Sequence, residues 1–148
     1  MKNCFRMPVA CHLILCQGDE ILLLLRANTG YEDGKHSVVA GHVEERESAS
    51  AAMIREAREE AGVTIAQEDL VFGCVMHRKP KDGERIDFFY VCNKWQGEIQ
   101  NKEPHKCGGL SFFPLSQLPD TTIPYVRAGI EAWRTGITYV EFGWEKEL

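Results

Sequence analysis

The stretch on which the reading turns is Gly41-His42-Val43-Glu44-Glu45-Arg46-Glu47-Ser48-Ala49-Ser50-Ala51-Ala52-Met53-Ile54-Arg55-Glu56-Ala57-Arg58-Glu59-Glu60-Ala61-Gly62-Val63. Ser48 can cap a helix, good helix formers follow it, and Gly62 supplies a stop, so the pattern predicts a helix over Ser48 to Ala61. On that helix Glu56, Glu59 and Glu60 stand at i, i+3 and i+4, which puts their carboxylates within an arc of roughly 100°. Met53, Ile54, Ala57 and Ala61 fill the adjoining arc, which would press the helix onto a core and leave the acids at its margin.

Three like charges so close repel one another, and only Arg55 and Arg58 are near in sequence to offset them. An E-x-x-E-E cluster can be nothing more than a solvated helix face. It can also hold a hard divalent cation: magnesium takes oxygen ligands and is commonly shared between carboxylates and substrate phosphates. Gly41 fits the second reading, since a glycine lets the backbone approach a metal with its carbonyl. Ions held there would polarise a phosphoryl oxygen and acidify a water, and a glutamate not committed to metal could take the proton.

Outward from this segment, Pro8 to Cys16 and Glu20 to Arg26 read as two strands joined by the turn-like Gln17-Gly18-Asp19. Asn28 to Lys35 reads as a loop and Ser37 to Ala40 as a short strand. Beyond the helix, Leu70 to Met76, Arg85 to Val91 and Leu110 to Phe113 read as strands, and a second helix is expected from Pro124 to about Thr135. Strands that bracket one helix and precede another predict an α/β fold, a mixed sheet flanked by helices, in a single domain spanning 1–148.

The whole chain narrows the partners. Its 148 residues are 44% apolar and 26% charged, so a packed core is expected without disulfides. The net charge is −5 and the cations are scattered, which argues against long nucleic acids and anionic membranes and leaves a small anionic ligand held through metal ions. The longest apolar run, Ile21 to Leu25, is too short to span a bilayer, so the expected location is the cytoplasm. The six cysteines have neither C-x-x-C pairing nor regular spacing, and His105 with Cys107 offers too few ligands for zinc.

Gly41, Glu47, Arg55-Glu56, Glu59-Glu60 and Gly62, at fixed offsets, reproduce the Nudix signature, and the chain resembles a Nudix hydrolase of the MutT-like kind. The flanking strands, the loop with Arg26 and Tyr31, and Trp95-Gln96-Gly97-Glu98 with Asn101-Lys102-Glu103-Pro104 extend the resemblance along nearly the whole chain. It implies a Nudix-type α/β/α sandwich in which Glu56, Glu59, Glu60 and the Gly41 carbonyl bind Mg²⁺, with Mn²⁺ a possible substitute, while Glu47 and Arg55 pair to hold the loop in shape. Related enzymes often place a further metal ligand in a distal loop, where Glu103 is the candidate; the identity of the base is not carried over. Three departures stand out: Ala40 for the first of two common glycines, Arg46 where glycine is frequent, and the small Ala57 at an aliphatic position.

The implied activity is Mg²⁺-dependent cleavage of a phosphoanhydride in a nucleoside triphosphate or another nucleoside diphosphate derivative. Nucleotide sugars or dinucleotides are alternative substrates, and a catalytically silent nucleotide-binding module is the alternative class. For the substrate, Arg26 could meet a phosphate, and Tyr31, His77 or Phe89 could stack on a base. Phe89 in a strand also reads as core, and His77 as surface. Trp95, Trp133 and Trp144 read as packing or interface residues. Tyr139, Phe142 and Trp144 form an aromatic end that either packs on its own domain or joins a homodimer, so both monomer and homodimer stay open.

Overall fold

The computed structural model describes residues 3–145. Strand β1 (Val9–Gln17) organises the fold, because its backbone is shared among three neighbours. Along one edge it runs parallel to β6 (Arg85–Cys92), from Val9 opposite Ile86 to Leu15 opposite Cys92. Along its other edge it pairs antiparallel first with β4 (Val39–His42) and then, at Cys16 and Gln17, with the start of β2 (Glu20–Arg26).

The two expected strands around Gly18 therefore form a hairpin only beside the turn, over two residue pairs. Past Ile21, β2 leaves β1 and joins a second limb of the sheet with β3 (His36–Ser37) and β7 (Cys107–Pro114). The other limb continues from β6 through the antiparallel β5 (Val71–Arg78) to the parallel β8 (Tyr139–Phe142). The result is a mixed eight-stranded sheet whose limbs diverge around β1.

Two helices cover it. Helix α1 (Ala49–Ala61) packs on β4 and β1, and α2 (Pro124–Arg134) on β5 and β8 across the sheet. The two faces can be read from β1 and β2 by alternation: Cys11, Leu13, Leu15, Leu22 and Leu24 join the cluster under α1, while Ile14, Ile21 and Leu23 join the cluster under α2. This is the α/β/α layering expected from the resemblance.

Several expected boundaries shift for identifiable reasons. The single strand expected over Ser37 to Ala40 is two, since the chain crosses from β2's limb to β1 at Val38. Strand β7 starts three residues before Leu110, because its backbone pairs along nearly all of β2 although Gly108 and Gly109 carry no apolar side chain. The aromatic C-terminal segment does have a partner on its own chain: it adds β8 to the sheet edge, and the Trp144 indole N–H donates to the His77 carbonyl at 2.9 Å. No helix among the described residues is long and apolar enough to cross a membrane.

Candidate active site

Helix α1 is set by its ends. The Ser48 hydroxyl accepts from the Ala51 amide at 3.1 Å, and Gly62 closes the helix in the left-handed region at φ 71°. Met53, Ala57 and Ala61 are buried beneath it, which fixes its rotation and turns Glu56, Glu59 and Glu60 toward one cleft. The small Ala57, with 0% exposure, is what lets the helix sit this close to the sheet.

The cleft has a volume of about 630 Å³. The three helix glutamates and Gly41 of β4 form one wall; Arg26, Glu103 and Lys106 are among the residues closing it. Gly41 faces Glu56 so closely that a Cβ built there would fall inside the Glu56 carboxylate. Glycine is required here for contact distance, since Gly41 does not need a left-handed backbone.

Glu60 lies deepest. Its Oε2 accepts from the Ala40 amide at 3.0 Å. Burial and the nearby Glu56 push its carboxyl well above the usual range, against the pull of that amide. Burial also raises Glu56, with Arg55 opposing. Glu59 stands at the outer edge, with its side chain 53% exposed.

Arg55 ties these groups to the preceding loop. It grips Glu47 through two N–H···O bonds, Nε to Oε2 at 2.7 Å and Nη2 to Oε1 at 3.0 Å, and its Nη1 donates to Glu56 at 2.8 Å and Glu59 at 3.2 Å. A further bond from Nη2 reaches the His42 carbonyl at 3.2 Å. The hydrogen bonds from Arg55 hold Glu47 below the usual carboxylate range. Within the same loop Arg46 adopts φ 64°, a conformation costly for any residue with a Cβ, which is the physical reason glycine is frequent there.

Glu103 reaches the cleft from a loop hung on the end of α1. The amides of Gln100 and Lys102 donate to the carbonyls of Ala61 and Glu60, and Asn101 bonds the Glu103 amide and the Cys107 carbonyl. These bonds also satisfy helix-end carbonyls that would otherwise lack partners. Lys106, absent from the sequence reading, is presented by the same turn; a lone lysine in a loop carries no pattern that could have singled it out.

Arg26 and Tyr31 come together in one constrained loop. Arg26 Nε donates to the Tyr31 carbonyl at 2.8 Å, its guanidinium stands 5.3 Å from the Tyr31 ring, and Asp33 accepts from Thr29 and Gly30 to brace the turn. Two expected substrate contacts are corrected. Phe89 is fully buried among α2 and its neighbours, stacked on His12 at 4.8 Å, so no base can reach it. His77 lies outside the cleft lining, on β5 between β6 and the edge strand β8, against Trp144 at 4.7 Å and Glu84 at 3.4 Å.

Among the described residues, no three His, Cys, Asp or Glu side chains already converge as a ready metal cage, because Arg55 and the Ala40 amide engage the helix glutamates. The donor set nonetheless fits a hard cation. Hard oxygen donors line one cleft, two of their carboxyls are raised chiefly by burial and also by the charge of neighbouring glutamates, and Gly41 leaves room at Glu56.

The family model described as NUDIX domain matches residues 6–133. Among solved structures, the chain is similar to a MutT NUDIX hydrolase from Burkholderia pseudomallei, with TM-score 0.77 and 25% identity over 84% of this chain and 95% of that one. It is similar also to a MutT protein from Methanosarcina mazei Go1, with TM-score 0.75 and 18% identity over 87% and 94% of the two chains. A NUDIX hydrolase from Nitrosomonas europaea gives TM-score 0.72 and 21% identity over 90% and 93%. No curated protein matches the chain.

Proposed function

The chain belongs to the NUDIX domain family, and from that premise we propose that it is a single-domain, Mg²⁺-dependent hydrolase of a phosphoanhydride bond in a nucleoside triphosphate or other nucleoside diphosphate derivative. The observation that carries this reading is the cleft wall made by Glu56, Glu59 and Glu60 from one helix face, with Gly41 opposite Glu56 and Glu103 closing from the distal loop. Nucleotide sugars and dinucleotides share the same diphosphate chemistry and remain within the proposal.

Glu56, Glu59, Glu60 and the Gly41 carbonyl would hold the cation, with Glu103 as a further ligand. When bound, a divalent cation supplies Lewis acidity that draws charge off phosphate oxygens and acidifies a water. Arg55 and Glu47 keep the loop and the helix in register, so that carboxylates and carbonyl face the same space. Arg26 and Lys106 add positive charge on the far side of the cleft, where it can meet the phosphate chain. Burial raises the proton affinity of Glu56 and Glu60 in the metal-free cleft, and a glutamate there that is not committed to the cation would receive the proton from the attacking water.

The test is release of phosphate or pyrophosphate across nucleoside triphosphates, oxidised nucleotides, nucleotide sugars and dinucleotides, with Mg²⁺ and with EDTA. Selective turnover abolished by EDTA is expected. Turnover that is indifferent to EDTA would refute the metal assignment, and metal-dependent binding without turnover would identify a silent binding module.

A further inference from the structure

A second cavity, of about 330 Å³, adjoins the acidic cleft and shares Arg26, Ala40, Gly41 and His42 with it. Its electrostatic sign is opposite. Five glutamates line the first against Arg26 and Lys106, whereas Arg26, Arg78 and Arg85 line the second against Asp82 alone. Asp87, buried behind Arg78, balances that arginine and still leaves the cavity net positive.

Arg78 is held as a receptor group is held. Asp87 takes its Nε at 2.7 Å and its Nη2 at 3.3 Å, and the Tyr125 ring lies flush against it at 3.6 Å. His12, at 2.9 Å from Asp87 and stacked on Phe89, fixes the carboxylate from the other side. Two of the five guanidinium N–H groups are thereby committed, leaving three on a fork whose orientation is already set. Burying such a pair stabilises a fold little, so its stability does not account for it. Arg85 faces the same cavity with one weak partner, the exposed Asp82 at 3.4 Å.

We propose that this basic cavity is a subsite for a second phosphate, a phosphomonoester carried on the part of the substrate that extends beyond the diphosphate, bound by Arg78 and Arg85. The inference rests on the diphosphate occupying the acidic cleft. A phosphomonoester carries close to two negative charges and several acceptor oxygens, and it matches a pre-set arginine fork beside a second, loosely held arginine. The substrate class is accordingly a nucleoside diphosphate derivative with an additional phosphate on its sugar.

The test is calorimetric titration of the full chain, in EDTA, with a nucleoside 5′-monophosphate and with the 3′,5′-bisphosphate of the same nucleoside. The bisphosphate should bind at least about tenfold more tightly, as expected for charge-assisted hydrogen bonds. Arg85→Gln should abolish that preference, and Lys81→Gln, which removes the same charge from the neighbouring turn outside the cavity, should keep it. Arg78→Gln should act likewise but leaves Asp87 buried without its arginine, so Arg85→Gln decides if that variant fails to fold. Equal affinities, or a preference that survives Arg85→Gln, overturn the proposal. Hydrolysis is scored separately: an inactive chain that keeps the preference supports the subsite and refutes the hydrolytic reading, while an active chain without it refutes the subsite alone.

Discussion

Glu60 concentrates the chemistry of the site in one residue. It is partly buried, faces Glu56, and has one amide as its neutral partner, so without a cation it opposes folding once ionised. Its raised folded pKa means its contribution is favourable below the unfolded value and is lost as pH rises through the folded one. Glu60→Gln should therefore raise the thermal midpoint in EDTA at neutral pH by a few degrees while lowering turnover at least ~100-fold. A variant that unfolds earlier than wild type in EDTA, or that turns over at the wild-type rate, would sink this account. Asp87 is the opposite case. Burial pushes its carboxyl up, but the bonds from His12 and Arg78 outweigh burial and leave it below 3.8. Its stabilisation is complete above that value and disappears as pH falls through the folded pKa. Asp87→Asn should cost about 3–5 kcal/mol at neutral pH, since Arg78 loses its charge partner, and should flatten the acid limb of the stability profile. Parallel acid limbs in urea titrations of the two proteins would show that Asp87 does not carry that dependence.

At the level of elements, α1 and α2 depend on different devices. Helix α1 is held by its caps as well as its buried face: Ser48 serves the amide end, and the Gly62 turn with the distal loop serves the carbonyl end. Ser48→Ala should destabilise by about 1 kcal/mol, measured by chemical denaturation, and an unchanged midpoint would mean the cap contributes nothing. Helix α2 has no side-chain cap at its start, where Pro124 provides the first turn, and it is held by close approach. A Cβ at Gly129 would fall inside the Phe89 ring, so Gly129→Ala should cost about 1–3 kcal/mol through forced repacking despite its better helix propensity. Stabilisation by that substitution would mean α2 floats on the sheet.

For the molecule as a whole, folding gathers glutamates into one cleft that Arg55 and the Ala40 amide offset only in part, and a bound cation would relieve the remainder. Mg²⁺ at about a hundred times its dissociation constant should stabilise the folded state by about 2.7 kcal/mol, visible as a rise in thermal midpoint of several degrees. Glu56→Gln should shrink that rise. An equal shift in wild type and variant would place the cation elsewhere. Dimerisation through the aromatic C-terminal end has less reason behind it than the sequence suggested, because Phe142 joins the α2-side core and Trp144 bonds back to β5.

The helix over the glutamates, its caps, the acidic face and the α/β class were legible in the sequence because they are local: spacing, periodicity and capping act within a few residues of one another. The same holds for the hairpin at Gly18 and the start of α2 at Pro124. A signal for the buried network was also present, since His12 and Asp87 are polar residues at inward positions of otherwise apolar strands, but nothing local says that they meet across 75 positions. Tertiary structure alone decided that β1 and β2 part after two pairs, that Phe89 is core and His77 lies outside the cleft, and that Arg26, Glu103 and Lys106 converge on the acidic helix. The physical reason is that these outcomes depend on which strand edges pair and which faces the helices cover. Those are non-local choices, settled by burial of the whole sheet and not by the residues on either side.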